Sequence, residues 1–431
     1  MLTEDLDAFA LEARIVVTER ELICQLNYGT ETVMANVVIS QSDDCSVIAT
    51  ITPHQQISLI SSNVDCFIES IRNGLSSLLL KTTPVTISEQ NNQLKAKLGV
   101  AELELQNLPQ DSDTVSVRMY LTNLHSYFYK NHIKFDINIP GQPQVVLSAH
   151  EEGAISNIAE VFQIPYSDLE KIKKLVDSIC WLCSFASGRL SAVARMEVLR
   201  NKELIYQELT SVDTTLNQGP KVISDVDDLT LFIEHSYNYY QQIVTTYNLN
   251  NLINLGVLAK QTPYIEVKTL LMCNFLEVLR YNYALNIGCP KGDFTRDRKD
   301  NFYLVTNERR NGRRNGRRNC SASSQQRASF QEILEHFCDK NSLTGWCSSF
   351  KDIRDKIVHT GNITGSTFQE KIQKYQDLHH FCDRVILALL QWDCAGVRLT
   401  FPQCDVVSGP YIPINCPPNP ESVVNRVAFT R

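Results

Sequence analysis

The sequence lacks the long apolar run of a membrane-spanning helix, since no uncharged stretch approaches the roughly 18 residues required. Its opening residues, MLTEDLDAFALEARIVV, are acidic and do not show the basic-then-apolar order of a secretion signal. The G-x-x-x-x-G-K-[ST] phosphate loop, the G-x-S-x-G nucleophile turn and the H-E-x-x-H metal motif are also missing. We therefore expect a soluble, cytoplasmic chain without membrane partners, and outside those three enzyme classes.

The sequence gives little indication of disulfide or metal chemistry. Its 14 cysteines are scattered through a large chain without an export signal, which favours reduced thiols over disulfides. The one close pair is Cys180 and Cys183, in SICWLCSF, and no second pair of Cys or His at similar spacing completes a zinc site. Buried thiols on an apolar helix are the favoured interpretation, with redox or metal chemistry as the alternative. We expect no metal and no cofactor.

An excess of positive charge is missing too, because the formal net charge is −7. This value hides an asymmetry: residues 309–327 contain seven arginines and no acid, which leaves −14 for the rest of the chain. A protein that coats nucleic acid along its whole surface is therefore not expected.

The pattern of residues predicts an α+β protein with a β-rich domain over residues 1–220. Polar turn segments separate alternating or β-branched stretches such as TVMANVVIS, CSVIATITP and VSVRMYLTNL. One interruption has helical spacing, at Cys66, Ile68, Ile71, Leu75 and Leu78, and we expect a helix there. A second helix is predicted for YSDLEKIKKLVDSICWLCSFASG, ending at Gly188.

The rest of the chain predicts a helical bundle over residues 221–400. Long segments with helical periodicity begin at SDVDDLTLFIEHSYNYY, YIEVKTLLMCNFLEVLR, SFQEILEHFCDK and TFQEKIQKYQDLHHFCD. An Arg-rich insertion at 289–328 separates the early helices from the late ones. Residues 401–431 form a tail with six prolines, expected to be extended or disordered.

The segment SSFKDIRDKIVHTG predicts one of the late helices. At about 100° per residue, Phe350, Ile353 and Ile357 share a stripe that must face the core of the bundle. Gly361 follows where a left-handed helix cap is expected.

Three polar residues of this helix combine side chains suited to acid–base chemistry on a phosphate. Asp355 and His359 are four residues apart and lie on the face opposite the apolar stripe, while Arg354 projects from the flank. Histidine exchanges protons near neutral pH, and arginine neutralises the charge that develops on a phosphate. A solvated helix surface is the alternative.

These residues resemble the R-x4-6-H motif of the HEPN superfamily. The order of DLTLFIEHSYNYY, LLMCNFLEVLR and IRDKIVHTG is similar to that of the helices of HEPN domains in ApeA-like abortive-infection proteins, which act in anti-phage defence. Those proteins also carry a β-rich N-terminal domain. The resemblance covers roughly 225–395 at the HEPN level and, less specifically, most of 1–220.

The resemblance implies a metal-independent endoribonuclease that acts as a homodimer, with the two motifs forming one composite site. His359 would exchange a proton with the attacking ribose 2′-hydroxyl, Arg354 would neutralise the phosphorane, and Asp355 would orient His359. Glu277 is a candidate acid partner of Arg354, and a plain exposed glutamate is the favoured alternative. The bundle would form a homodimer or a higher homo-oligomer, and the N-terminal domain would sense a phage-derived or cellular trigger or serve for docking, in a defence or toxin-like role. A non-catalytic dimerisation or RNA-binding protein is the alternative function.

Several other features carry two interpretations each. The repeat ERRNGRRNGRRN is either an RNA-binding arm or a low-complexity expansion; its arginines are Arg309, Arg310, Arg313, Arg314, Arg317 and Arg318. Tyr237, Tyr239 and Tyr240 favour packing over base stacking. His379 and His380 point about 100° apart on a helix, so they do not readily share a metal, and we expect them on the helix surface.

Overall fold

The structure, a computed structural model, describes fifteen stretches of the chain: residues 21–28, 31–54, 66–70, 77–79, 87–90, 93–104, 109–124, 134–213, 219–223, 225–288, 294–299, 301–304, 327–343, 350–365 and 367–392. Within them the predicted α+β class is confirmed, with a β-rich N-terminal part and a helical C-terminal part. The chain divides into two compact units, the β unit (Met1–Asn217 with Asp225–Glu234) and the α unit (Gln218–Ser224 with His235–Arg431).

The strands of the β unit form one sheet in which the described pairings are antiparallel. The strands are β1 Glu21–Tyr28, β2 Glu31–Gln41, β3 Val47–Pro53, β4 Cys66–Ser70, β5 Ser77–Leu79, β6 Ile87–Gln90, β7 Gln93–Leu98, β8 Val100–Glu104, β9 Thr114–Thr122, β10 Lys134–Ile137, β11 Val145–Glu152, β12 Ile155–Pro165, β13 Val193–Arg200 and β14 Glu203–Thr210. Their order across the sheet is β10-β11-β12-β9-β13-β14-β8-β5-β4-β1-β2-β3-β7-β6.

Helix α1, Leu169–Ser187, packs on strands β12 and β13. It ends at Gly188, as predicted, and this glycine has a φ of 69°, the left-handed conformation that is common at helix C-termini. Cys180 and Cys183 are both buried, and burial raises the pKa of the Cys183 thiol to about 12. Both thiols are therefore protonated core groups at neutral pH, in agreement with the favoured interpretation.

The prediction of a helix around residues 66–78 is wrong. Cys66–Ser70 and Ser77–Leu79 are the strands β4 and β5, which pair with β1 and β8 respectively. Cys66 and Ile68 also fit an alternation of period two, so the short pattern did not discriminate between helix and strand. Pairing with strands distant in sequence decides the outcome.

Helices dominate the α unit: α2 Val226–Tyr247, whose first residues belong to the β unit, α3 Leu249–Gln261, α4 Ile265–Gly288, α5 Phe330–Lys340, α6 Phe350–Thr360 and α7 Phe368–Leu389. Helix α4 is central, since it packs against α3, α5, α6 and α7. Its core positions include the fully buried Phe275 and Tyr283. No helix in the described ranges has both the length and the apolarity to cross a bilayer.

The region between α4 and α5 contains a hairpin that the sequence analysis did not predict. Strands β15 Phe294–Arg296 and β16 Phe302–Leu304 pair antiparallel, and Arg327 forms a bridge with Tyr303. Three-residue strands are too short to show an alternation, so local pattern gives no signal for them. The Arg repeat and the tail 401–431 lie outside the described residues.

Candidate active site

Helix α6 carries the predicted motif in the predicted orientation. Phe350, Ile353 and Ile357 are buried, and the Phe350 ring lies 4.8 Å from that of Phe381 on α7. Gly361 has a φ of 68°, and its amide donates to the Ile357 carbonyl at 2.9 Å. The apolar stripe and the left-handed cap are thus confirmed, and the polar face of α6 is turned outward.

Arg354 is held by an acid from helix α4. Its Nε donates to Glu277 Oε1 at 2.8 Å, and its Nη2 lies 2.7 Å from the same oxygen. The two side chains are 31% and 28% exposed. The candidate contact between Glu277 and Arg354 is therefore present, although 77 residues separate them, and the favoured alternative of a plain exposed Glu277 is wrong. It fixes the guanidinium at a partly open surface between α4 and α6.

Asp355 contacts Arg354 as well. Its Oδ1 accepts from Arg354 Nη1 at 2.6 Å, and this hydrogen bond is the main reason why the pKa of Arg354 is raised above its usual value. The contact expected between Asp355 and His359 is absent from the described residues, in which the exposed His359 has no hydrogen bond or ion pair. A charge-assisted bond to a neighbouring guanidinium outweighs one to a neutral imidazole four residues away.

Three residues that the sequence analysis did not single out complete the surroundings. Arg280 Nε donates to Glu277 Oε2 at 2.9 Å. The Phe330 ring lies below the Arg354 guanidinium, with 5.6 Å between the ring centroid and Cζ. Cys273 is buried, and burial raises the pKa of its thiol to about 12, so it is not a nucleophile at neutral pH. Only Arg280 left a signal in the sequence, its helical spacing of three from Glu277.

A second polar cluster lies buried in the same unit. Lys260 Nζ on α3 is 2.9 Å from Asp383 Oδ1 on α7, and His379 Nε2 is 3.7 Å from Asp383 Oδ2. Burial lowers the pKa of His379 to about 4. The surface position expected for His379 is wrong: it is 7% exposed, because α7 turns Tyr375, His379 and Asp383 inward at a spacing of four.

The aromatic run of α2 is used mainly for packing. Tyr237 and Tyr240 are buried, at 6% and 3% exposure. Tyr239 is half-buried and lies 5.5 Å from the ring of His235, which also contacts Trp392 edge-on. Packing was the favoured interpretation of these tyrosines, and two of the three confirm it.

Comparisons of the chain with protein-family models, with curated proteins and with solved structures give no match.

Proposed function

We propose that this chain is a metal-independent HEPN-type endoribonuclease that cleaves cytoplasmic RNA as a homodimer. The observation that carries the proposal is the ion pair between Arg354 and Glu277, which holds an arginine at a partly open surface of α6. The exposed His359 lies further along the same helix. A fixed guanidinium can neutralise charge on a phosphate, and an accessible imidazole can exchange a proton with the ribose, which are two functions that RNA cleavage without a metal uses.

The reaction is attack of a ribose 2′-oxygen on the adjacent phosphorus, which breaks the bond to the 5′-oxygen. The His359 imidazole takes the proton of the 2′-hydroxyl, the leaving 5′-oxygen takes a proton from water, and the imidazolium returns its proton to the hydroxide so formed. Arg354 neutralises the charge that grows on the phosphorane. The products are a 2′,3′-cyclic phosphate and a 5′-hydroxyl.

A second copy of the chain resolves a geometric difficulty in this scheme. Arg354 and His359 are about 140° apart around the axis of α6, so they do not converge on one phosphate from a single helix. Two protomers related by a two-fold axis place the Arg354 of one beside the His359 of the other. The anti-phage role, and control by the β unit in response to a trigger, rest on the resemblance to ApeA-like proteins alone.

One observation favours the alternative, a non-catalytic dimerisation or RNA-binding protein. Glu277 and Asp355 together offset the charge of Arg354, and His359 lacks an orienting partner within the described residues. In this alternative the Arg354 cluster joins α4 to α6 and has no substrate.

The test is cleavage of mixed RNA in excess chelator by the wild type, Arg354→Ala and His359→Ala, with Lys351→Ala as a control on the same helix. We expect cyclic-phosphate products from the wild type and the control, and a loss of at least about 10²-fold in each site variant. An equal mixture of the two inactive variants should recover about a quarter of the activity, because half of the dimers then carry one intact Arg354–His359 pair, where a wild-type dimer has two.

Two results would reject parts of this proposal. If the RNA stays intact at every concentration of the wild type, the proposed nuclease activity is rejected and the non-catalytic alternative is retained. Cleavage that no mixture of the variants restores would show that each protomer forms its own site.

A further inference from the structure

The second oxygen of Glu277 points to another substrate-binding residue: we infer that Arg280 binds an RNA phosphodiester next to the one at Arg354. The inference rests on the proposed function for the identity of its ligand. Glu277 Oε1 accepts from Arg354 on α6, and Glu277 Oε2 accepts from Arg280 Nε at 2.9 Å. One carboxylate thus fixes two guanidinium groups relative to each other.

The two arginines differ in how many N–H donors they retain. A guanidinium has five, in a planar fork. Arg354 directs Nε and Nη2 to Glu277 and Nη1 to Asp355, so two carboxylates offset its charge. Arg280 engages only Nε within the described residues, and the four N–H donors of its terminal nitrogens have no protein partner there.

The terminal nitrogens of Arg280 reach solvent. The side chain is 24% exposed, and no nitrogen of Arg280 is among the buried atoms that lack a hydrogen-bond partner. Two terminal nitrogens in one plane match the two free oxygens of a phosphodiester, which is the bidentate geometry that favours arginine for phosphate binding.

The ion pair of Arg280 and Glu277 differs from an ordinary surface ion pair between residues three apart on a helix, which involves those two residues alone. Glu277 is shared with another helix, so Arg280 is already restrained and loses less side-chain entropy when it binds an anion. The charges of Arg280, Arg354, Glu277 and Asp355 sum to zero, and Arg280 is the cation of this cluster that touches one carboxylate. An incoming phosphate therefore gains most at Arg280.

The test measures binding separately from cleavage. The probe is a fluorescent single-stranded RNA with 2′-O-methyl riboses, which has no attacking hydroxyl. Arg280→Gln should weaken binding by about tenfold and reduce the slope of log affinity against log salt by about 0.7, the loss of one phosphate contact. The matched control is Arg200→Gln in the β unit, since Arg200 is also partly exposed (33%) and paired with one acid, Asp113. The control should stay within about twofold of wild type.

A merely structural role for Arg280 is separated by a double variant. If Arg280 acts only by placing Arg354, then Arg280→Gln has no further effect in an Arg354→Ala background, which would overturn the inference. If it binds phosphate itself, the loss persists there. Arg280→Lys keeps the positive charge and the bond to Glu277, so it replaces Arg280→Gln in the test if that variant fails to fold. We expect it to bind the probe more weakly, with the same slope of log affinity against log salt as the wild type.

The remaining results also support or overturn the inference about Arg280. Wild-type affinity in Arg280→Gln or Arg280→Lys, or no binding of the probe by the wild type, overturns the inference. Binding that depends on Arg280 in a protein that never cleaves RNA rejects the proposed nuclease and leaves the phosphate site standing.

Discussion

Two clusters of arginine and glutamate, one in each unit, differ in their access to water. In the β unit, Arg195 and Glu197 on β13 are 2% and 6% exposed. Glu197 also accepts from the Tyr120 hydroxyl at 2.9 Å, and the Arg195 guanidinium lies 3.7 Å from the centre of the Tyr120 ring. In the α unit, Arg354, Glu277 and Asp355 are about one third exposed. Arg195 also donates from Nη2 to Glu152 Oε2 at 2.8 Å, and Glu152 is 46% exposed. The β-unit cluster is therefore buried at Arg195 and Glu197 and reaches water at Glu152, whereas all three residues of the α-unit cluster reach water.

The difference shows that burial, and not the type of ion pair, separates a structural contact from a candidate site. In the β unit the register places Arg195 opposite Tyr120 and Glu197 opposite Arg118, so neighbouring strands complete the network. Burial raises the pKa of Tyr120 to about 12, which keeps its hydroxyl protonated as a donor to Glu197. The Arg280 of the α-unit cluster has donors left at the surface for a ligand, whereas the unpaired donor of the β-unit cluster, Arg195 Nε, is buried.

The largest expected effect comes from removing one arginine of each cluster. Arg195→Met should lower the free energy of unfolding by about 3 kcal/mol, because Glu197 stays buried without the positive charge 3.8 Å away and Glu152 loses its 2.8 Å bond to Arg195. Arg354→Met should lower it by about 1 kcal/mol or less, since water replaces the lost contacts. Urea denaturation followed by circular dichroism measures both. Equal losses in the two variants would contradict the comparison.

The buried cluster of Lys260, His379 and Asp383 tests whether a polar cluster in the α unit can also be a structural contact. His379 in the α unit has a pKa lowered to about 4 by burial, so the folded protein holds it neutral. The stabilisation that neutral His379 gives the fold is fully present above about pH 6.5, the pKa of histidine in the unfolded chain. It is lost as the pH falls toward 4, the pKa in the folded protein. We expect the wild type to lose about 2 kcal/mol of stability between pH 7 and pH 5 through this group.

The matched variant for this prediction is His379→Gln, which keeps a polar side chain without the titration. Its stability should change less between pH 7 and pH 5 than that of the wild type, by the amount assigned to His379. The pKa of His380 is lowered in the same direction by burial, so His380→Gln shows whether the neighbour contributes. Parallel pH profiles for wild type and His379→Gln would show that the imidazole is not held neutral by burial.

The smallest expected effect on stability is that of Glu277→Gln at the open cluster. The amide still accepts a hydrogen bond but no longer offsets two guanidinium charges, and we expect less than about 1 kcal/mol of destabilisation. If the proposed nuclease is correct, cleavage should fall about tenfold, because Arg354 is less firmly placed. A loss of stability as large as that of Arg195→Met would show that this cluster is structural too.

How much was predictable depends on how local each feature is. Helix α6, its buried Ile353 and Ile357 and its cap at Gly361 followed from a spacing of a few residues. The strands at Cys66–Ser70 and Ser77–Leu79 did not, because they are too short to show a clear pattern and their partners β1 and β8 are distant along the chain. The burial of His379 was missed because a polar residue on a helix is ordinarily assigned to the outer face.

The sequence by itself determined the α+β class, the periodicity of the late helices and the presence of Arg354, Asp355 and His359 on the outward face of one of them. These follow from hydrophobic periodicity, which acts over one or two turns. Tertiary structure decided that one carboxylate, Glu277, serves Arg354 on another helix as well as Arg280 on its own, that Asp355 turns to Arg354, and that Arg195 and Glu197 are buried. Access to water depends on which faces of distant elements pack together, and no local pattern records that.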